Sequence, residues 1–173
     1  VQTRSVRVWT SDSNDALDRL VIQRGCALFF PPEVMGSHVG PRDCHVTGRR
    51  VSMDMRAGVA LFGHMGLEMD LRELTPDEVE MLKSANALYK QFRPLLHGGI
   101  PVRFNQRPFE ERWGVVSKDM QRGLFGYALT ASLPDTVPGR FWFVGLDPAA
   151  DYRLEWAWPR RVDGKPVQRQ DCG

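Results

Sequence analysis

The sequence has 173 residues, of which 42% are apolar and 25% are charged, so it can build a hydrophobic core, and intrinsic disorder is not expected. The 23 basic and 21 acidic residues leave a formal net charge of +2, and this near balance gives no reason to expect nucleic acid or an anionic membrane as a partner. The sequence contains no run of 18 apolar residues, so no membrane-spanning helix is predicted.

The first predicted elements are a short strand and a helix. Residues 6–10, with the sequence VRVWT, predict the strand, and the polar residues 11–15 follow it directly. Ser13 or Asn14 is expected to cap the helix, with Asp15 in its first turn, where the helix dipole favours a carboxylate. The side chains expected to face the core recur near helical spacing and are Leu17, Leu20, Val21 and Leu28.

Two more strand–helix units follow. Residues 34–40 predict a short buried strand, and residues 52–62 predict a helix. Residues 65–71 alternate between apolar and polar side chains and predict a third strand. Because strands that alternate with helices form parallel sheets with helical crossovers, we expect residues 1–98 to form three such units.

The clearest helix in the sequence begins after the third strand. Thr75 is the expected N-cap, Pro76 occupies the first helical position, and Glu78 completes a capping box. Pro94, followed by the glycines at 98 and 99, is expected to end this helix.

The pattern changes after Gly99. Short β-rich segments, separated by turns of Gly, Pro and Asp, replace the helical periodicity. We therefore expect residues 99–173 to form an antiparallel β-domain. Its predicted strands begin near residues 102, 113, 123, 140 and 152.

The cysteines and histidines form no recognisable disulfide or metal motif. Three widely spaced cysteines, Cys26, Cys44 and Cys172, suit a reducing compartment, and we expect a cytoplasmic protein. The four histidines show no zinc-binding spacing, so no metal site is predicted.

Five motifs, taken together and in order, resemble one known family. They are WTSDSNDALDRLVIQRG from residue 9, PPEVMGSHV from 31, HVTGR from 45, RAGVALFGHMGLEMDL from 56 and YKQFRPLLHGG from 89. With this order and spacing they are similar to the C-terminal part of family-36 glycoside hydrolases, the bacterial α-galactosidases. The similarity is close over residues 6 to about 105, and GLDPAADYRLEW from residue 145 adds a looser match.

The resemblance implies an α/β fold, namely the C-terminal portion (about three β/α units) of a (β/α)8 TIM barrel followed by an antiparallel β-domain. Residues 1–98 would be the last units of the catalytic barrel, and residues 99–173 a C-terminal antiparallel β-sandwich domain. Three units cannot close a barrel, and the chain starts with Val1 rather than Met, so we expect a fragment of a longer protein. The missing N-terminal part of that protein is the first expected partner, and a homo-oligomer is a second candidate assembly.

The family's W-x-S-D-x-x-D motif is present as Trp9, Ser11, Asp12 and Asp15, where the first strand ends. The resemblance implies that Asp12 is the general acid/base, with Asp15 as the weaker alternative. Aspartate is also a common helix N-cap, so capping is the structural alternative for Asp12. Trp9 and His38 are candidate substrate-binding residues, and for both of them a place in the packed core is the alternative.

The resemblance implies a retaining α-galactosidase that hydrolyses terminal α-linked galactose from oligosaccharides of the melibiose or raffinose type. Such enzymes use two carboxylates about 5 to 5.5 Å apart, and these complete the chemistry without a metal or cofactor. The family's nucleophile lies in a K-W-D motif that this sequence lacks, so we expect the chain alone to be inactive. The alternatives are an α-N-acetylgalactosaminidase of the same family and a non-catalytic carbohydrate-binding β-module.

Overall fold

A computed structural model describes residues 7–105, 107–133 and 139–159 of the chain. The helices in these ranges are α1 (Ala16–Cys26), α2 (Met53–Ala60) and α3 (Pro76–Gly98). The strands are β1 (Gly36–Val39), β2 (His64–Leu67), β3 (Ile100–Val102), β4 (Glu110–Val116) and β5 (Gly123–Leu129). Short 3₁₀ turns at Pro32–Val34 and Leu71–Glu73 precede β1 and α3. No helix within the described ranges is long and apolar enough to cross a membrane.

The first half of the chain forms a parallel arrangement. β1 and β2 pair in parallel, with Gly36 opposite His64. A third segment joins them at Val8, which forms a single parallel bridge with Met35. The predicted parallel order of three segments is therefore confirmed. Residues 7–10, the described part of the first predicted strand, contribute one bridge and not a full strand.

α2 connects β1 to β2 and covers one face of this arrangement. Val39 of β1 has no exposed surface and belongs to a core cluster drawn from α2 and α3, with Met53, Ala57, Ala60 and Ala85. Ala57 and Ala60 are also completely buried. Their small side chains let α2 lie close against β1. The helix predicted over residues 52–62 is confirmed, with slightly shorter ends.

α1 begins one or two residues later than the sequence suggests. Its N-cap is Asp15, whose side chain accepts hydrogen bonds from the amides of Leu17 and Asp18. The expectation that Ser13 or Asn14 caps the helix is therefore wrong.

The core face of α1 is also narrower than expected. Leu20 is buried, but Val21 and Leu28 are 51% and 55% exposed, so the prediction that they face the core is wrong. Leu28 lies beyond the end of α1 at Cys26, where the helical periodicity no longer applies. Val21 lies next to Leu20 in the helix and is therefore rotated away from the buried face.

α3 carries the predicted capping box. The Thr75 hydroxyl accepts a hydrogen bond from the Glu78 amide at 3.3 Å, and the Glu78 carboxylate accepts one from the Thr75 amide at 3.0 Å. The helix ends at Gly98 with Gly99 as its C-cap, so the predicted end at the glycines is confirmed, whereas Pro94 does not end it. Pro94 is exposed, so water can bond the carbonyl that the missing proline N–H leaves free.

The second half of the chain forms an antiparallel sheet with the strand order β3-β4-β5. This confirms the antiparallel pattern predicted after Gly99. The sheet packs against the end of α3, where Leu95 and Leu96 form a core cluster with Val115 and Leu124. The sheet and the parallel segments are therefore joined through one shared helix.

The last two predicted strands are not formed. Residues 139–159 contain no strand, so the strands expected near residues 140 and 152 are wrong. Phe141 and Phe143 instead lie against Phe125 of β5. The centroid of the Phe125 ring lies 6.2 Å from that of Phe141 and 5.1 Å from that of Phe143. These apolar residues cover the face of the sheet and add no strand to its edge. The second sheet of a sandwich and the domain boundary after residue 98 stay predictions.

A buried polar cluster joins the loop after β1 to α2 and to the start of α3. Arg56 is 1% exposed and donates to the Gly40 carbonyl at 2.8 Å and to Glu78 at 2.7 Å. Arg42 pairs with the same carboxylate. The hydrogen bonds from Arg42, with the Thr75 amide and the charge of Arg56, lower the pKa of Glu78 to about 2 although burial opposes the shift.

Replacing Glu78 is expected to make the free energy of unfolding less dependent on pH in the acidic range. Glu78→Gln removes the charge but keeps a side chain that can complete the capping box. Because folding lowers the pKa of Glu78 from 4.5 to about 2, the carboxylate stabilises the fold fully above about pH 5, and this contribution is lost as the pH falls towards 2. We expect the substitution to cost on the order of 3 kcal/mol at pH 7 and about half of that at pH 3, measured by urea unfolding.

The matched control for this prediction is Glu80→Gln. Glu80 lies on the same helix but pairs with the exposed Lys83. Its replacement is expected to cost less than about 0.5 kcal/mol at both pH values. A cost at Glu78 that does not change with pH would contradict an ionised Glu78 held by the two arginines.

Candidate active site

Three loops meet where the parallel segments end. Residues 9–12 follow the bridge at Val8, Gly40 follows β1, and Glu68 follows β2. The Glu68 amide donates to the Val39 carbonyl at 3.0 Å, so the pairing continues to the last residues of both strands. Because the carboxyl ends of parallel strands lie at one edge of a sheet, side chains from these loops are brought together, and such edges commonly bind ligands.

Asp12 lies at this edge and is exposed. Its Oδ1 accepts a hydrogen bond of 2.7 Å from the indole Nε1 of Trp9. Within the described ranges, no hydrogen bond or ion pair is made by its Oδ2. The Ser13 amide donates to the Ser11 hydroxyl at 3.0 Å and shapes the turn around Asp12. One carboxylate oxygen is therefore held in place, and the other is without a hydrogen-bond partner among the described residues.

Trp9 and His38 lie side by side next to Asp12. Their ring centroids are 4.5 Å apart, and the ring planes are inclined by 38°. Trp9 is 56% exposed, so it is not a tryptophan buried in a strand. The structure brings both predicted substrate-binding residues to the edge that carries Asp12, and their contact with a substrate stays a prediction.

His38 also faces a carboxylate that the sequence reasoning missed. Its Nδ1 lies 3.5 Å from Oε2 of Glu68, which is an ion-pair distance but too long for a good hydrogen bond. Burial and the charge of Arg19 lower the pKa of His38 more than Glu68 raises it, so the imidazole is neutral near pH 7. The sequence signal for Glu68 is a carboxylate that directly follows an apolar strand.

Asp15 has a different environment from Asp12. It is 1% exposed, and its Oδ2 accepts hydrogen bonds from the Thr47 hydroxyl at 2.5 Å and the Arg49 guanidinium at 2.7 Å. Burial raises the pKa of Asp15, but the hydrogen bonds from Thr47, the Leu17 amide and Arg49 outweigh it and hold the pKa below its ordinary value. Asp15 is therefore an ionised helix cap that also anchors the loop containing Thr47 and Arg49.

Gly40 permits the close approach of the loop that carries Asp12. A Cβ atom at this position would lie 2.4 Å from the carbonyl oxygen of Asn14. Real Cβ atoms do not approach backbone oxygens so closely, so any other residue would displace either the loop or the end of β1.

The tryptophans of the second half have two kinds of environment. Trp158 donates from its Nε1 to a backbone carbonyl of α2 at 2.7 Å, and Trp113 makes an edge contact with Phe62 at 5.7 Å. These two anchor the second half of the chain to the first. Trp142 and Trp156 are 68% and 60% exposed.

The site offers carboxylates and an imidazole. In the part of the chain that the structure describes, no three His, Cys, Asp or Glu side chains are grouped so as to hold a metal ion. Cys26 and Cys44 are free thiols, and the third predicted thiol, Cys172, lies outside the described residues.

Sequence comparison finds similar proteins of one kind. Residues 2–99 match the family model described as Melibiase. The chain is 44% identical over 169 residues to an α-galactosidase of Escherichia coli. This alignment covers 97% of this chain and 23% of that protein. It is 36% identical over 152 residues to the α-galactosidase AgaA of Geobacillus stearothermophilus, which covers 86% of this chain and 21% of that protein.

Structure comparison agrees with this finding. The fold is similar to the crystal structure of the GH36 α-galactosidase AgaA from Geobacillus stearothermophilus, with a TM-score of 0.77 at 35% identity over 82% of this chain and 20% of that one. A variant of AgaA solved in complex with raffinose gives a TM-score of 0.77 at 34% identity, with the same coverage of both chains. The chain therefore spans about a fifth of the length of the proteins it matches.

The two aspartates of the opening motif are expected to differ in their effect on stability. Asp15→Ala removes the cap of α1 and the common acceptor of Thr47 and Arg49, which should cost about 2–4 kcal/mol. Asp12→Ala removes an exposed side chain that accepts one hydrogen bond from Trp9, which should cost less than about 1 kcal/mol. Chemical denaturation of both variants measures the difference, and equal losses would contradict the separate environments of the two carboxylates.

Proposed function

The chain belongs to the melibiase family, glycoside hydrolase family 36, and on this basis we propose that it is part of a retaining α-galactosidase. The activity is proposed for the whole protein. This chain matches about a fifth of the length of each of these relatives. We propose that residues 1–98 are the last three β/α units of its (β/α)8 barrel and that residues 99–173 belong to its C-terminal β-domain. The parallel order of the Val8 segment, β1 and β2 supports this placement.

We propose that Asp12 is the general acid/base. The observation that carries this assignment is an exposed carboxylate at the carboxyl end of a parallel segment, held at Oδ1 by Trp9. In barrels of this type the catalytic groups lie at that end of the strands. Since the indole N–H can only donate, the proton of the acid form belongs on Oδ2, which is the oxygen left for the substrate.

Asp15 fits the acid/base role less well than Asp12. Its carboxylate is buried, caps α1 and accepts hydrogen bonds from Thr47 and Arg49. A pKa held below the ordinary value makes it a poor proton donor near neutral pH. We therefore infer that Asp15 stabilises the loop and helix that support Asp12.

The second carboxylate of a retaining mechanism must come from elsewhere in the protein. No aspartate in this sequence follows a Lys-Trp pair, so the nucleophile is proposed to lie in the remainder of the barrel. After the nucleophile has formed the glycosyl–enzyme, Asp12 would take a proton from the incoming water, which reverses its first role.

Two apolar surfaces support the rest of the protein as the partner of this chain. Phe29, after α1, is 80% exposed. An apolar cavity of about 310 Å³ lies between β2 and α3, lined among others by Leu67 and Leu82. Soluble proteins rarely leave contiguous apolar surfaces uncovered, so further polypeptide is proposed to pack there.

We propose α-linked galactosides as the substrates and the cytoplasm as the location. Variants of Geobacillus stearothermophilus AgaA, similar to this chain in structure, have been solved in complex with raffinose and with stachyose. Trp9 and His38 are the proposed substrate contacts, because the Trp9 indole bonds Asp12 and the His38 ring lies against Trp9. The free thiols of Cys26 and Cys44 support a reducing compartment.

Asp12→Ala in the full-length protein that carries this segment tests the assignment. We expect kcat/KM for melibiose to fall at least about 1000-fold, because its leaving group requires a proton, while a dinitrophenyl α-galactoside is slowed far less. Azide should restore turnover of the dinitrophenyl substrate and give galactosyl azide of retained α configuration, because azide replaces water and needs no base.

Asp43→Ala is the matched control, since Asp43 is exposed in a neighbouring loop and makes only a 3.9 Å contact with Arg50. Its kcat/KM values are expected to match those of the parent enzyme. Normal hydrolysis of melibiose by the Asp12 variant, or an azide product of inverted configuration, would refute the acid/base role.

A further inference from the structure

Arg19 lies behind the loop that carries Asp12. It belongs to α1 and is 2% exposed. Its Nη1 donates hydrogen bonds to two backbone carbonyls, that of Ser11 at 3.0 Å and that of Ser13 at 3.3 Å. One nitrogen thus holds the carbonyl groups of the residues immediately before and after Asp12.

The same guanidinium ties this loop to β1. Its Nη2 donates to the carbonyl of Gly36, the first residue of β1, at 2.8 Å and to the Thr10 hydroxyl at 3.0 Å. The Thr10 hydroxyl in turn donates to the same Gly36 carbonyl at 3.3 Å. The loop and the strand therefore share one buried donor group.

All of these partners are uncharged. Among the residues that the structure describes, no carboxylate lies within ion-pair distance of Arg19, although the charge of Glu68 acts favourably on it from further away. The buried Nε of Arg19 has no hydrogen-bond partner there. Taking an unpaired guanidinium out of water costs several kcal/mol, and an apolar side chain of similar length would fill the same space without this cost. Stability alone therefore explains an arginine here poorly, whereas three donor contacts to one loop and a fourth to β1 explain it well.

We propose that Arg19 is a positioning residue for proton transfer by Asp12, an inference that rests on the proposed function. The backbone at residue 12 cannot rotate without breaking a bond from Arg19, and Trp9 holds the carboxylate itself. Arg19 thus sets the position of the proton donor without touching it. A displacement of about 1 Å in a catalytic group can cost roughly 100-fold in rate.

Arg56 is a matched control within the same chain. It too is a buried helix arginine, 1% exposed, that donates to a backbone carbonyl, that of Gly40 at 2.8 Å. Its charge is paired with Glu78, and its hydrogen bonds go to none of residues 10–13. Replacing it disturbs a buried guanidinium of the same kind without removing a hydrogen bond to residues 10–13.

The test compares Arg19→Lys and Arg56→Lys in the full-length protein with two substrates. Lysine keeps the charge but cannot reach four acceptors at once. For Arg19→Lys we expect kcat/KM to fall about 100-fold with melibiose and less than about 10-fold with a dinitrophenyl α-galactoside, which leaves without a proton. For Arg56→Lys we expect equal changes with both substrates. Equal losses with both substrates for Arg19→Lys would overturn the proposal.

Thr10→Val keeps the inference testable if Arg19→Lys does not fold, as judged by circular dichroism. This variant is nearly isosteric and removes one of the four acceptors of Arg19. We expect a loss at least about 3-fold larger with melibiose than with the dinitrophenyl substrate, since one of the four bonds that position the donor is gone. The absence of any such difference would overturn the proposal.

Asp12→Ala, measured alongside, separates the two levels of the argument. If the loss of kcat/KM depends on the leaving group for Asp12→Ala but not for the Arg19 and Thr10 variants, the positioning role fails and the proposed function stands. If Asp12→Ala itself shows no such dependence, the proposed function fails, and the role of Arg19 fails with it.

Discussion

Among the described residues, two backbone hydrogen bonds of Val8 align the first segment with β1. Val8 exchanges them with the chain that enters β1, at 2.6 and 3.0 Å. The site depends on this alignment, because it places Trp9 and Asp12 at the edge where His38 also lies. In addition to this pairing, the side-chain hydrogen bonds of Arg19 tie the following loop to β1.

β1 has two faces of opposite character, as its alternation requires. Val39 packs into the apolar cluster beneath α2, whereas the neighbouring residue, His38, lies against Trp9 on the other face. The imidazole fits there because its neighbours lack side chains. A Cβ atom at Gly66 would lie 3.0 Å from the His38 ring, and one at Gly36 would lie 3.7 Å from it. Gly66, on the adjacent strand β2, therefore makes room for the imidazole, whereas a Cβ atom at Gly36, on β1 itself, would make an ordinary van der Waals contact.

The sequence predicted best what depends on neighbouring residues. The capping box of Thr75 and Glu78 and the parallel order of the first three segments rest on local signals, and the structure contains both. The strand expected near residue 140 failed because Phe141 packs on Phe125, a contact that only the folded chain reveals. Glu68 and Arg19 were missed because the sequence does not show which side chains they meet. Only folding brings Glu68 to His38 and places Arg19 beneath the loop of Asp12.

These contacts explain the spacing of the opening motif. Trp9 lies three residues before Asp12, and its indole N–H reaches forward along the chain to the carboxylate. Asp15 lies three residues after Asp12 and caps the helix. Arg19 follows one helical turn later and returns beneath the loop. Two identical side chains thus acquire opposite properties. Both oxygens of Asp15 are occupied by amides, a hydroxyl and a cation, which keep it ionised, whereas the exposed Asp12 accepts a hydrogen bond from described residues at one oxygen only.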